Sequence, residues 1–127
     1  SNHRIRKVNM ITKIISTVAG TSGGFSGDGG LAINARLNQP QGVSINQFGT
    51  LYIADTSNHR IRKVDSATGI ITTHAGIGTA GNTGDGGPAT AARLNAPARA
   101  LAFDDVDGHL MISDTSNNRV REVTNAY

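Results

Sequence analysis

The sequence predicts an all-β fold built from short antiparallel strands, and three observations lead to this prediction. First, the chain repeats itself: residues 1–8 recur unchanged at 57–64 and in altered form at 116–123, at offsets of 56 and 59 residues. Second, each period contains short runs of aliphatic and β-branched residues bounded by turn residues. Third, the connections between these runs are so short that only antiparallel neighbours are permitted.

One complete period predicts a meander of four strands. The strands are expected at residues 42–45, 51–54, 60–64 and 70–74. Residues 55–58 form the turn between the second and third strands, and their side chains are of types that bond to nearby backbone. Ile61 and Val64 are three residues apart, so we expect a bulge near Arg62 and Lys63 that brings both to one face of the sheet.

A long glycine-rich loop with a short helical segment is expected between consecutive meanders. Residues 88–94 begin with proline, which is favoured at the first position of a helix. The earlier copy, residues 31–37, has the same spacing of small residues without the proline. We expect one or two helical turns that lie over the sheet edge, with Leu37 or Leu94 as the buried apolar plug.

A repeated four-stranded meander with a long loop is typical of the blade of a β-propeller. A two-sheet sandwich is the alternative all-β arrangement, but it does not need near-identical sequence blocks. We therefore expect a single propeller segment over residues 1–127. In chain order it holds the last two strands of a blade (1–18), a loop (19–39), a complete blade (40–75), a second loop (76–96) and the first three strands of a third blade (97–127).

These segments amount to little more than two blades, whereas a closed propeller needs at least about four. Two explanations are open: the chain is an excerpt of a longer propeller, or several copies close a ring as a homo-oligomer. The third strand is represented near both ends of the chain, by residues 4–8 and 119–123, and this redundancy counts against the oligomer.

Composition limits the kind of protein and the kind of site. The 127 residues make one small domain, and with 4% aromatic residues its core must come mainly from Ile, Val, Leu and Ala. The absence of cysteine excludes disulfides, thiolate zinc sites and cysteine nucleophiles. No apolar run approaches the roughly 20 residues of a membrane span. A net charge of +3 is far below that of a dedicated nucleic-acid-binding arm.

Residues 51–64 resemble the signature of NHL repeats, which are propeller blades named after an Asn-His-Leu tripeptide. They read Leu-Tyr-Ile-Ala-Asp-Thr-Ser-Asn-His-Arg-Ile-Arg-Lys-Val. The third letter is arginine here, and the last copy reads Asn-Asn-Arg. The Gly-Asp-Gly-Gly and Ala-Arg-Leu-Asn-x-Pro blocks resemble the long-loop NHL repeats of teneurin-like and bacterial extracellular proteins. The resemblance covers essentially the whole chain. It implies a propeller of about six blades that binds a partner, and it slightly favours an extracytoplasmic location, although no glycosylation sequon or signal peptide supports that location.

Polar residues recur around the turn between the second and third strands, and we take them as a candidate interaction rim. The members are Asn58, His59, Arg60, Arg62, Asn117, Asn118, Arg119 and Arg121. Asp55 and Asp114, which begin the two turns, are expected to cap them and to pair with Arg60 and Arg119. Because a catalytic site is normally unique, a set that recurs in every repeat favours a structural role.

The long loops contain two motifs that could bind a ligand. Asp28 and Asp85 stand in Gly-Asp-Gly-Gly, but calcium prefers six or more oxygen ligands, so we expect each aspartate to cap the following helical turn instead. Residues 76–81 match G-x-G-x-x-G, but neither a full helix nor a parallel return strand follows. This stretch is therefore expected to be a flexible loop rather than a dinucleotide site.

The sequence predicts no catalytic residue, no cofactor and no metal ligand in this segment. The four histidines, His3, His59, His74 and His109, are expected at the surface or in turns, because three convergent zinc ligands cannot be assembled from them. No catalytic signature such as H-E-x-x-H occurs.

The predicted function is that of a non-enzymatic scaffold whose loops bind a protein or peptide, with a carbohydrate as a further candidate. Two alternatives stay open. Six-bladed propellers that resemble this architecture include lactonases and metal-dependent lyases, whose ligands would here lie in other blades. RNA-binding NHL proteins use a positively charged rim, but RNA recognition usually needs aromatic stacking platforms, which are scarce in this chain.

Overall fold

The computed structural model describes residues 2–124 and shows three antiparallel sheets within that range. The strands are β1 (Ile5–Val8), β2 (Ile15–Ala19), β3 (Gly42–Ile45), β4 (Leu51–Asp55), β5 (Arg60–Val64), β6 (Ile71–Ala75), β7 (Leu101–Asp104), β8 (His109–Asp114) and β9 (Arg119–Val123). β1 and β2 form a hairpin, β3 to β6 form a four-stranded sheet in chain order, and β7 to β9 form a three-stranded sheet. The prediction of antiparallel meanders is confirmed. Residues 1 and 125–127, which belong to the first and last predicted segments, lie outside the described range.

Side chains of the turn residues hold the tight connections within the middle sheet. Between β3 and β4, the Oδ1 atom of Asn46 accepts hydrogen bonds from the backbone N–H groups of Phe48 and Thr50, both at 3.0 Å. Between β5 and β6, the Oδ1 atom of Asp65 accepts the N–H groups of Ala67 and Thr68 at 2.9 and 3.0 Å. These bonds stabilise the carboxylate and lower the pKa of Asp65. Short polar side chains thus close both turns locally.

Two apolar clusters lie between successive sheets. The first joins the hairpin and its following loop to the middle sheet, and it contains Ala19, Ala32, Ala35, Leu37, Ile53 and Ile71. The second joins the middle sheet to the last one, and it contains Tyr52, Ala54, Ile61, Ala75, Leu94, Leu110 and Ile112. Tyr52 and Ile53 are neighbours in β4 but belong to different clusters, so both faces of the middle sheet are buried. This face-to-face stacking of meanders is how propeller blades pack.

A bulge lies beside Arg62, close to where we expected one, but its extra residue belongs to β6 and it does not bring Ile61 and Val64 to one face. β4 and β5 pair without interruption, from Asp55 opposite Arg60 to Leu51 opposite Val64. The irregularity lies between β5 and β6, where the pairs Ile61–Ala75 and Arg62–Thr73 leave His74 as the extra residue. Ile61 and Val64 do not share a face, because each face of the blade is buried against a different neighbouring cluster.

The long loops after β2 and β6 each contain one short helical turn, within the one or two turns that we expected. Each is a single 3-10 turn, at Ala32–Asn34 and Ala89–Ala91. The first loop also pairs with the outer strand of the middle sheet, since Gly29 N–H donates to Ile71 O at 2.8 Å and Ile71 N–H donates to Gly30 O at 2.9 Å. The loop therefore fastens one blade to the next. None of the helices in residues 2–124 is long and apolar enough to cross a membrane.

Candidate functional site

The antiparallel topology brings the long loops and two short turns to one rim of the stacked sheets. β4 and β8 end at the turns of residues 56–59 and 115–118, and β2 and β6 end where the long loops 20–41 and 76–100 begin. We call this edge the loop rim. The opposite rim consists of the shorter turns that join β1 to β2, β3 to β4, β5 to β6 and β7 to β8.

Arg62 is fully buried beneath the loop rim, where it makes five hydrogen bonds. Its Nε and Nη2 donate to Asp28 Oδ1 at 3.1 and 2.8 Å, and its Nη1 donates to Asp55 Oδ2 at 3.0 Å. Nη2 and Nη1 also donate to the carbonyl oxygens of Ser26 and Arg36 at 3.0 and 3.1 Å. This Arg62 cluster ties the first long loop to the middle blade, because a guanidinium satisfies several acceptors in one fixed geometry.

The same cluster recurs one repeat later around Arg121. Its Nε donates to Asp85 Oδ1 at 3.0 Å, and its Nη1 donates to Asp114 Oδ2 at 3.2 Å. Carbonyl oxygens of Arg93 and Thr83 accept from Nη1 and Nη2 at 2.6 and 3.1 Å. The Arg121 cluster therefore holds the second long loop to the last blade.

These clusters correct the expectations for the paired aspartates and arginines. Asp55 and Asp114 pair with Arg62 and Arg121, not with Arg60 and Arg119. Arg62 and Arg121 are consequently not part of an exposed rim: Arg62 is 0% and Arg121 9% exposed in the side chain. The physical reason is that the long loop covers the face of the sheet on which these two side chains lie.

None of the aspartates caps a helical turn as we expected. Asp28 lies four residues before the first residue of the helical turn and instead binds Arg62, while its Oδ2 accepts Thr73 Oγ1–H at 2.5 Å. Asp85 has the corresponding place beside Arg121. Asp55 accepts the backbone N–H of Asn38 at 2.8 Å rather than a backbone group of its own turn. Burial raises the pKa of Asp55, although the hydrogen bonds from Asn38, Asn58 and Arg62 act in the opposite direction.

Asn58 and His59 also hold the long loops in place. Asn58 Nδ2 donates to Gly24 O at 2.8 Å and to Asp55 Oδ2 at 2.9 Å. His59 has a left-handed backbone, with φ of 53°, and its Nδ1 accepts Ala96 N–H at 3.0 Å. In the last repeat Asn117 makes the equivalent bonds to Gly81 O and Asp114, and Asn118 ends the turn with φ of 57°.

Arg60 does reach the surface of the loop rim, and it lies over the ring of Phe25, a contact that we did not predict from the sequence. Its Cζ is 3.7 Å from the ring centroid of Phe25, and its Nη2 donates to Ile77 O at 3.1 Å. Phe25 is 40% exposed. Partial burial lowers the pKa of Arg60, which stays cationic at neutral pH. A single phenylalanine in a glycine-rich loop carries no periodic signal, so its partner could not be read from the sequence.

Charge is unevenly divided between the two rims. All nine arginines lie in the loop rim or in the strand halves nearest to it, together with four aspartates that the Arg62 and Arg121 clusters engage. The other five acidic residues and all three lysines lie toward the opposite rim. Seven of the nine arginines form no ion pair with any residue of the range 2–124: Arg4, Arg6, Arg36, Arg60, Arg93, Arg99 and Arg119.

Within the described range, no group of three or more His, Asp or Glu side chains could hold a metal ion. His3 and His59 accept backbone N–H groups in turns, and His109 Nδ1 lies 3.2 Å from Glu122 Oε2. His74 differs from our expectation, because it packs edge-on against Tyr52 between two sheets with its Nε2 buried. Burial lowers the pKa of His74 to about 4.

The comparisons with known proteins agree with this architecture. A family model described as the teneurin NHL domain matches residues 3–83, which is more than half of the chain. The chain belongs to the teneurin NHL domain family. NHL repeat-containing protein 2 of Gallus gallus is 42% identical over 86 residues, which make up 68% of this chain and 11% of that protein.

Solved structures share the fold of this chain. A Bacteroides thetaiotaomicron protein of unknown function superimposes with a TM-score of 0.83 at 22% identity, covering 97% of this chain and 30% of that one. An auxiliary nutrient binding protein of the same species gives a TM-score of 0.70 at 26% identity, covering 95% of this chain and 32% of that one. This NHL segment thus spans about a third of the solved chains, and they support its fold as part of a β-propeller.

Residues 58–60 stand at the tripeptide for which NHL repeats are named. Asn58 and His59 are used to hold the long loops, as described above. Arg60 stands where the name has leucine, and its side chain adds a cation to the loop rim. The NHL turn therefore combines two structural residues with one that reaches the surface.

Proposed function

We propose that this NHL segment is a non-enzymatic scaffold that recognises a protein or peptide through its loop rim. The observation that carries the proposal is that some polar residues of the loop rim bind the loops and others are left exposed. The recurring acids and two of the arginines fix the loops. The other seven arginines form no ion pair in residues 2–124, and a phenylalanine beside one of them is 40% exposed.

Fixed loops are suited to binding because they lose little conformational entropy when a partner docks. The Arg62 cluster satisfies a buried guanidinium with two carboxylates and two carbonyl oxygens. Removing one member of such a buried pair costs about 3–5 kcal/mol, because the other charge is left buried without a partner. Arginine and aromatic side chains on such a surface are the types enriched in protein interfaces.

The name of one similar protein supports a binding role in general terms, whereas another solved relative is called a putative phosphatase. The solved relative from Bacteroides thetaiotaomicron is called an auxiliary nutrient binding protein, and the family name refers to NHL repeats rather than to a reaction. The loop-rim geometry favours a protein or peptide over a carbohydrate, because its exposed groups are mainly cationic.

A peptide-display selection against the purified chain tests the proposal. We expect enriched peptides to lose affinity when loop-rim arginines are replaced and to keep it when Lys13 on the opposite rim is replaced by glutamine. Failure to enrich any peptide would contradict the proposal. Stoichiometric, tightly held metal together with turnover of a lactone or glycan substrate would favour the enzymatic alternative instead.

A further inference from the structure

The guanidinium groups of Arg60 and Arg62 lie over the ring of Phe25, with Arg62 Cζ 4.7 Å from its centroid, and the guanidinium of Arg36 lies against the backbone that precedes the ring. Arg60 lies over that ring, with Cζ 3.7 Å from its centroid, and donates to Ile77 O at 3.1 Å. Arg36 donates from Nη2 to Gly23 O, two residues before the ring. Its guanidinium lies so close to Gly24 that a Cβ there would be 2.6 Å from Cζ. We call Phe25, Arg36, Arg60 and Ile77 the Phe25 site.

Both cations of the Phe25 site retain unused donors. Within residues 2–124, Arg60 and Arg36 each donate one side-chain hydrogen bond, and each acceptor is a neutral carbonyl oxygen. Asp28 and Asp55 are the acids whose charges act on Arg60, but the oxygens of both are already bound. Asp28 binds Arg62 and Thr73, and Asp55 binds Arg62 together with Asn38 and Asn58. A guanidinium that is fixed in place and has free N–H groups is preorganised to bind a carboxylate.

The site also has an apolar part. Phe25 is 40% and Ile77 49% exposed, and both lie beside Arg60. A ligand that combines carboxylates with an aliphatic side chain would cover these two residues while it pairs with the arginines. A peptide segment with acidic and aliphatic residues has this combination.

A nucleic acid fits the same site less well. Single-stranded bases bind by stacking on aromatic side chains, and Arg60 already covers one face of Phe25. The other aromatic residues in the described range lie elsewhere: Tyr52 and Phe103 stack on each other at 5.2 Å, and Phe48 lies in a turn of the opposite rim. The loop rim therefore offers cations without a series of stacking platforms.

We propose that the Phe25 site binds an acidic segment of a partner protein. Carboxylates of that segment pair with Arg36 and Arg60, and an aliphatic side chain packs on Phe25 and Ile77. The inference rests on the proposed function of the loop rim and names the chemistry of its partner. The unpaired arginines elsewhere on this rim increase the rate of encounter with such a partner by long-range attraction.

The next repeat provides a matched control. Gly24 O and Gly81 O accept hydrogen bonds from equivalent asparagines of the two repeats, and Ser26 O and Thr83 O accept them from equivalent arginines. The residues between these positions therefore correspond, and Asn82 stands at the position of Phe25. Arg93 and Arg119 correspond to Arg36 and Arg60, and both are exposed without an aromatic partner at that position. The chain thus contains a second pair of cations that lacks the ring.

The test is fluorescence anisotropy with a labelled peptide Leu-Glu-Glu-Leu-Glu-Glu, measured at about 0.15 M salt. For the double variant Arg36→Gln/Arg60→Gln we expect the affinity to fall at least about tenfold, and for Phe25→Ala severalfold. For Arg93→Gln/Arg119→Gln we expect a loss of less than about threefold, which is the effect of distant charge alone. The single variant Arg36→Gln, at an exposed position, and a thermal melt of each protein separate lost binding from lost folding.

Three results would overturn the inference. The first is an equal loss of affinity in the two double variants. The second is equal affinity for a peptide in which every Glu is replaced by Gln. The third is tighter binding of poly(U) than of the acidic peptide, with an affinity for poly(U) that depends on Arg36 and Arg60 in the same way. If display selection enriches non-acidic peptides that depend on the loop rim, the proposed function stands and this inference fails. If no peptide binds at all, both fail.

Discussion

At the residue scale, the position of a charge along a strand decides between burial and exposure. Arg60 and Arg62 are two residues apart in β5 and lie on the same side of the sheet. Arg62 lies beneath the first long loop, where Asp28 and Asp55 neutralise it. Arg60 is one pleat nearer the turn, and its guanidinium reaches out to Phe25 at the rim. The same residue type thus has a structural role at one position and a surface role at the next.

Replacing Arg62 by methionine should destabilise the fold by roughly 3–5 kcal/mol, because it leaves the buried carboxylate of Asp55 without its cation. Arg6 is the equivalent residue of the first hairpin and is exposed. Arg6→Met should therefore change stability by no more than about 0.5 kcal/mol. Urea denaturation of both variants measures the two values, and similar losses would show that the cluster contributes little.

A second residue-scale prediction concerns the pH dependence of stability. The pKa of His74 is lowered from 6.5 to about 4 in the folded chain, so the unfolded chain binds the proton more readily between these values. Stability should therefore decrease as the pH falls from about 7 to about 4, and His74 should contribute about 3 kcal/mol of that decrease.

The comparison of wild type with His74→Phe isolates this contribution, since Phe keeps the packing against Tyr52 and does not titrate. The variant should lose less stability on acidification than the wild type in urea titrations at several pH values. Parallel pH profiles for the two proteins would contradict the assignment.

At the scale of the elements, the middle meander could be predicted closely because its signals are local. The strands expected at 42–45 and 60–64 are observed at Gly42–Ile45 and Arg60–Val64, since alternating aliphatic residues and Asn, Asp or Gly turns specify both. The bulge was misplaced because the rule of one buried face does not hold in a stacked blade. Both faces are buried there, so Ile61 and Val64 need not share one.

The candidate site was harder to predict because its contacts are not local. Arg62 meets Asp28 across 34 residues of sequence, and Asn58 meets Gly24 across the same separation. Nothing in the spacing of the third strand distinguishes the buried Arg62 from the exposed Arg60. Only the path of the long loop decides which of them is covered.

The long loop should be more sensitive to a side chain at Gly27 than at Gly29. Both glycines have positive φ, 94° and 87°, but a Cβ at Gly27 would lie 2.7 Å from Ala35, whereas a Cβ at Gly29 meets nothing within 4 Å. Gly29→Ala should cost about 1–2 kcal/mol for its backbone conformation. Gly27→Ala should cost at least about 2 kcal/mol more because the loop must shift. Thermal unfolding of both variants tests the difference, and equal losses would argue against close packing of the loop.

At the scale of the whole molecule, the stacked sheets separate two rims of opposite character. The loop rim carries fixed loops and unpaired arginines, and the opposite rim carries the lysines and the acids that lie outside the Arg62 and Arg121 clusters. This separation follows from the repeat, because each period places its third-strand arginines at the same edge. A partner that docks on the loop rim therefore encounters a net positive electrostatic potential.

The association rate with an acidic peptide should accordingly fall steeply when salt rises from about 0.05 M to about 0.5 M, because the Debye length shrinks severalfold over that range. Lys13→Gln/Lys63→Gln on the opposite rim should leave this dependence unchanged. Stopped-flow measurements at several salt concentrations provide the slope. A rate that does not depend on salt, or one that the lysine variants alter, would contradict the role of the loop-rim charges.

Amide hydrogen exchange of the chain with and without the acidic peptide tests the central claim most directly, because it locates the binding surface on the fold. We predict slower exchange in residues 21–27, 56–60 and 76–79, which form the loop rim around Phe25. Protection confined to residues 46–50 and 65–70, at the opposite rim, would contradict the assignment of the loop rim as the recognition surface.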